Sequence, residues 1–143
     1  MKIEILTTGD ELMSGLTRDG NFQWAGQTLT GLGFEVTYHT TVGDDREILK
    51  AAFTTARDIA DAVIVTGGLG PTPDDLTIEV ASDFFNVGLE FNQDALDMMN
   101  KRFERIGRKV SETNMKQVYL PKGSLTLLNK WGTAPGEVRG FYN

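Results

Sequence analysis

The chain has 143 residues, 40% hydrophobic and 24% charged, with 16 glycines, no cysteine, one histidine and a formal net charge of −6. That length suits about one domain; the balance excludes a disordered chain, and the glycines lack the three-residue period of collagen. Without cysteine there is no disulfide framework, thiolate metal site or cysteine nucleophile, and one histidine excludes multi-histidine centres, so any metal must sit on oxygen ligands, as Mg²⁺ does.

The acidic balance argues against broad nucleic-acid binding. No apolar run approaches the ~20 residues of a membrane span. Glu4 follows closely on Lys2 with no long apolar stretch, which argues against a signal peptide. The expected setting is the cytoplasm, with no nucleic-acid or membrane partner.

Residues 3–7 read as a first strand, ending in Thr8-Gly9-Asp10-Glu11 and a loop that holds Ser14, Gly15, Asp19, Gly20 and Asn21. Phe22, Ala25, Leu29 and Leu32 recur at helical spacing, with Gly33 as the stop. Phe34, Val36 and Tyr38 alternate as in a strand. Gly43-Asp44-Asp45 is a turn whose aspartate can cap the next helix, with Ile48, Ala52, Ala56 and Ile59 as its apolar stripe. Ala62-Val63-Ile64-Val65 has the fully apolar character of a strand buried on both faces.

A glycine- and proline-rich loop follows, then a helix with Leu76, Val80, Phe84 and Phe85. Leu96, Met99, Phe103 and Ile106 mark another helix, ended by Gly107. Residues 111–119 are expected to be helical, 120–123 a turn, 125–128 a strand and 138–142 a last strand. The alternation of strands and helices predicts an α/β fold with helices on both faces of a mostly parallel sheet, in one domain over 1–143.

Open parallel sheets bind ligands at the carboxyl ends of their strands. Three loops leave those ends: the one after strand one, Gly43-Asp44-Asp45, and Thr66-Gly67-Gly68-Leu69-Gly70-Pro71-Thr72-Pro73-Asp74-Asp75. Each joins glycine to acid. In the third, Gly67 and Gly68 let a ligand approach the backbone, successive amides can form an anion site, and Pro71 and Pro73 restrict the loop. It lacks both the P-loop ending and the dinucleotide fingerprint, so backbone amides must do the phosphate holding.

A rigid strand-to-helix turn explains the glycines equally well. Helix capping explains one acid per loop but not the pairs Asp10 and Glu11, Asp44 and Asp45, Asp74 and Asp75. Paired acids beside a phosphate imply a bridging divalent cation. His39 reads as a partly buried ring before a general base. Lys101, Arg102, Arg105, Arg108 and Lys109 read as a solvated helix face before an anion-steering patch. Trp24 and Trp131 read as packing residues.

The motifs Thr8-Gly9-Asp10-Glu11-Leu12 with Ser14-Gly15, Thr41-Val42-Gly43-Asp44-Asp45-Arg46, and the long loop continued through Leu76-Thr77 closely resemble the N-terminal domain of the competence/damage-inducible protein CinA family. Asn114 with Gln117, and Gly132-Thr133-Ala134-Pro135-Gly136, fit the same family, and the resemblance covers essentially the whole chain. It implies a three-layer α/β/α fold, similar to the molybdopterin-binding domain of molybdenum-cofactor biosynthesis (MoCF) enzymes.

It also implies ADP-ribose pyrophosphatase activity, dependent on a divalent metal (Mg²⁺ or similar) and helped by K⁺, with AMP and ribose 5-phosphate as products. Catalytic roles fall on Asp44 and Asp75. Metal binding falls on Asp10, Asp44 and Asp75. Phosphate or substrate binding falls on Thr66, Gly67, Gly68, Gly70, Thr72, Asn21, Asn114 and Gln117. Relatives form dimers or trimers, so a homo-oligomer is expected.

Three departures stand out: Gly20 replaces a small hydroxyl residue, Glu137 replaces an apolar aromatic, and the later Leu-Pro-Gly-Val-Pro-like segment and the amidohydrolase domain are missing. The domain is therefore expected to be truncated at its C-terminal end. The primary reading is a nucleotide-sugar diphosphate hydrolase. The alternatives are a molybdopterin-binding or molybdopterin adenylyltransferase-like domain, and a non-catalytic nucleotide-binding module.

Overall fold

β1 (Ile3–Thr8) joins the strand formers Ile3, Ile5, Thr7 and Thr8 to Glu4 and Leu6, and all six residues are buried. It lies in the middle of a three-stranded sheet in the order β2-β1-β3, with both neighbours parallel to it. The computed structural model describes residues 1–140, and contacts divide the chain into two compact units, Met1–Gly68 and Leu69–Asn143.

In the first unit β1 is followed by a short helix, α1 (Asp10–Met13), where the sequence suggested only loop. Then come α2 (Gly20–Gly31), β2 (Val36–Val42), α3 (Arg46–Ile59) and β3 (Ala62–Thr66). Asp19 caps α2 by accepting the Phe22 amide at 2.8 Å, and Asp45 caps α3 by accepting the Ile48 amide at 2.9 Å. α3 buries Leu49, Phe53 and Ala56; of the expected stripe Ala56 is buried, Ala52 and Ile59 are half-buried, and Ile48 is 54% exposed. The correction is one of rotation: the 49, 53, 56 row carries the bulkier side chains, so burying it removes more apolar area from water.

β3 departs further from expectation. Val63 and Ile64 are exposed, so this apolar run is not buried on both faces. Among the described strands β3 pairs only with β1, which makes it an edge strand of this sheet.

The second unit contains α4 (Thr77–Phe85), β4 (Leu89–Phe91), α5 (Gln93–Arg105), a 3₁₀ helix (Glu112–Val118), β5 (Tyr119–Pro121), β6 (Leu125–Leu127) and β7 (Gly136–Val138). α4 ends at Asn86, which takes a left-handed φ of 54°. The Val87 amide then closes back on the Ser82 carbonyl at 3.1 Å, a common way to satisfy the last carbonyls of a helix. Asn92 caps α5. Ala95 and Met99 pack with Val118 as a small core, flanked by Leu96, Phe103, Val110 and Met115.

Two antiparallel pairs, β4 with β5 and β6 with β7, accompany the parallel sheet. β4 is absent from the sequence reading, and β5 takes two residues, Leu120 and Pro121, assigned there to a turn. Three-residue strands carry too little alternation to be read. The last predicted strand is found earlier, at Gly136–Val138, and its end at Tyr142 lies outside the described residues. Trp24 and Trp131 are 70% and 81% exposed, so neither is the packing residue its size suggested.

Candidate functional site

The parallel register sets Thr8 of β1 beside Val42 of β2, and Thr7 beside Thr66 of β3. The three strands of the first unit therefore end at one rim, and the loops carrying Asp10, Asp44 and Gly67 start there. Two of these loops are locked together. The Asp44 amide donates to Asp10 Oδ1 at 3.0 Å, and the Asp10 amide donates to Asp44 Oδ2 at 3.1 Å. Thr8 Oγ1 donates to Asp44 Oδ1 at 3.0 Å. Each carboxylate thus secures the other's loop while keeping lone pairs unused, since a carboxylate offers about four acceptor positions.

The start of the third loop, residues 66–68, belongs to this unit and closes on the same rim. Gly67 and Gly68 take positive φ values of 100° and 60°. A Cβ on Gly67 would lie inside van der Waals contact of the Thr8 carbonyl oxygen. Only glycine permits so close an approach to the central strand. Asn21, near the start of α2, donates from Nδ2 to Thr66 Oγ1 at 2.8 Å, which places it on the Thr66 side of the rim.

His39 lies further back on β2. Its ring stacks on Phe22 with centroids 3.6 Å apart, and its Nε2 is 3.4 Å from Asp19 Oδ2 and 3.3 Å from Thr41 Oγ1. That is a packing role beside an open groove of about 490 Å³ between α2 and β2.

In the second unit Asp75 turns back on its own loop. Its Oδ2 accepts the Thr72 amide at 2.8 Å and the Thr72 hydroxyl at 2.5 Å, and the Gly70 amide also donates to this carboxylate. Partial burial pushes the Asp75 carboxyl up, but these hydrogen bonds together with the charge of Lys116 outweigh it and leave it below the usual carboxylate range. Gly70 and Thr72, read as phosphate donors, are therefore turned on a side chain of the protein itself. Asp74 is exposed.

Asn114 and Gln117 are likewise engaged internally. Asn114 Oδ1 accepts from the Ser111 amide and hydroxyl, and the buried Gln117 donates to the Leu69 carbonyl at 3.1 Å. Among the described residues no three acidic or histidine side chains gather as a metal cage. Asp10 and Asp44 are adjacent through their amides.

Lys116, which the sequence reading did not single out, is the main cation of the Asp75 loop. Its Nζ reaches the Thr72 carbonyl at 3.0 Å, the Asp75 carbonyl at 2.6 Å and Glu79 Oε1 at 3.2 Å. The signal was present: residues 66–79 contain Asp74, Asp75 and Glu79 but no basic side chain, so a cation had to come from elsewhere in the chain. Lys101 and Arg105 are exposed and Arg102 half-buried on α5, while Arg108 and Lys109 are exposed beyond its end.

The family described as "Probable molybdopterin binding domain" matches residues 4–139. The chain belongs to that family. Within this molybdopterin-binding domain family it is of the CinA type. A CinA-like protein of Dictyoglomus turgidum is 46% identical over 136 residues, 95% of this chain and 33% of that protein. The chain thus spans about a third of the length of such relatives.

The crystal structure of CinA from Thermoplasma acidophilum superposes with a TM-score of 0.84 at 32% identity, covering 95% of this chain and 79% of the other. The tungsten-cofactor-synthesizing protein MoaB of Pyrococcus furiosus gives a TM-score of 0.54 at 30% identity over 74% and 64% of the two chains. The family fold is the three-layer α/β/α class expected from the sequence, with the parallel sheet as its centre. No helix among the described residues is long and apolar enough to cross a membrane.

Proposed function

We propose that this domain binds a pterin phosphate of the molybdopterin type, its phosphate held at the rim formed by Thr66, Gly67, Gly68 and Asn21. The observation that carries this reading is the pair Gly67 and Gly68, both at positive φ, with Gly67 packed against Thr8 where three parallel strands end together. Such rims are where open α/β sheets take ligands, and a backbone stripped of side chains lets an anion reach its amides. The family description and the likeness to a tungsten-cofactor-synthesizing protein support the pterin over other phosphate esters.

Asp10 and Asp44 would repel a bare phosphate at the same rim. Mg²⁺ reconciles the charges, because it is commonly held by one or two carboxylates, water and the phosphate oxygens of its ligand. Asp10 and Asp44, joined through their amides, fit that requirement without a three-acid cage. The ion would supply positive charge for the phosphate.

The second reading, hydrolysis of ADP-ribose to AMP and ribose 5-phosphate, draws on the same pair of acids, with Asp44 as the residue that orients water. Calorimetric titration with molybdopterin and with ADP-ribose, each with Mg²⁺ present, separates the two. Heat with molybdopterin and none with ADP-ribose supports the pterin reading. ADP-ribose turnover that disappears in Asp44→Asn replaces it with the hydrolase.

A further inference from the structure

We infer that Lys116 is a positioning residue: its ammonium acts as an internal cation that fixes residues 69–76, and with them the Asp75 carboxylate and the start of α4. The three hydrogens of an ammonium can make three hydrogen bonds. Here three oxygens surround it, the carbonyls of Thr72 and Asp75 and the carboxylate of Glu79. All its donors are used inside the protein, which sets Lys116 apart from a ligand-contacting lysine.

The position is also one where a cation must work against a helix. Asp75 lies two residues before the first residue of α4, and the positive end of a helix disfavours a nearby cation. Glu79 in the first turn and the two carbonyls offset that cost. Residues 66–79 carry Asp74, Asp75 and Glu79 with no base among them. Gln117, next in sequence, ties the Leu69 carbonyl, so consecutive residues of the 3₁₀ helix grip both ends of the turn.

Hydrogen exchange of the unliganded protein tests this, so its outcome is independent of whether a pterin phosphate binds. Lys116→Met keeps the length and apolar stem of the side chain and removes its charge and donors. The expected result is exchange at least about tenfold faster at the amides of residues 69, 70, 72 and 74–76, Pro71 and Pro73 having none, as loss of charge-assisted hydrogen bonds implies, with β1 and α3 at parental rates. In Lys116→Ala, added ethylammonium should slow those same amides again, which a loss of packing alone would not produce.

Parental rates at 69–76 in Lys116→Met, uniform acceleration through the chain, or no response to ethylammonium each overturn the inference. The parent alone gives one more readout. A Lys116 ¹⁵N ammonium signal protected from water exchange supports it, and one that exchanges like a surface lysine overturns it.

Discussion

Replacing Gly67 by alanine should damage the first unit far more than its one added methyl suggests. Two costs combine. Gly67 has a φ of 100°, so an alanine there is held in a region L-residues avoid, at about 1–3 kcal/mol. The new Cβ would also overlap the Thr8 carbonyl oxygen and lie 3.0 Å from the Thr8 carbonyl carbon and Cγ2. Those atoms are mostly backbone of the central strand, which has parallel partners on both sides and cannot turn aside as a flexible side chain would. Forcing a group into such a space costs a further ~1–3 kcal/mol.

The sum, about 2–6 kcal/mol, is a large share of the ~5–15 kcal/mol that holds a typical domain folded. Urea unfolding followed by far-ultraviolet circular dichroism measures it. Gly26→Ala serves as the control: Gly26 lies inside α2 with nothing within 4 Å of its built Cβ. Alanine there should stabilise by about 0.5–1 kcal/mol. A Gly67→Ala cost below ~1 kcal/mol would refute the claim that this loop is pressed against β1.

Further outcomes follow from the same geometry. Leu49→Ala should cost about 2–5 kcal/mol because Leu49 is fully buried, while Ile48→Ala should stay within ~0.5 kcal/mol; thermal unfolding of the pair checks which face of α3 is inside. Burial pushes the Glu137 carboxyl up, against a hydrogen bond from Ser124 and the charge of Arg139. Its stabilising contribution is therefore complete below the ordinary glutamate range and lost as pH rises through the raised value. Glu137→Gln should unfold at higher urea than the parent at pH 7.5, with the gap closing towards pH ~4.

Asp75 has the opposite sign. Its contribution is complete above the ordinary aspartate range and lost as pH falls through its lowered value. Asp75→Asn should be less stable than the parent at pH 7, with the difference shrinking below pH ~3.9.

The parallel part of the fold was legible because its elements are long and bounded by glycine and aspartate. Asp45 before α3 and Gly33 after α2 fall where the sequence placed a cap and a stop. What escaped was set by packing at a distance. Whether Ile48 or Leu49 faces inward depends on a rotation of α3 that periodicity leaves open between adjacent apolar rows. An apolar run such as β3 carries no mark of whether it will be a central or an edge strand. The motifs drew attention to acids and glycines in the loops that follow β1, β2 and β3, and the register of β1 with β2 brings the Asp10 and Asp44 loops together. The sequence could not tell that Asp75 would take up the Gly70 and Thr72 amides, nor that Lys116, some 40 residues on, would hold that turn, because both depend on side-chain direction.

The most direct measurement compares molybdopterin with its dephosphorylated form in calorimetric titrations of the parent protein with Mg²⁺ present. Binding that weakens at least about tenfold when the phosphate is removed, the scale of a lost charged hydrogen bond, is the predicted result. Equal affinity for both forms, or no heat from either, would contradict a phosphate held at the Thr66-Gly67-Gly68 rim.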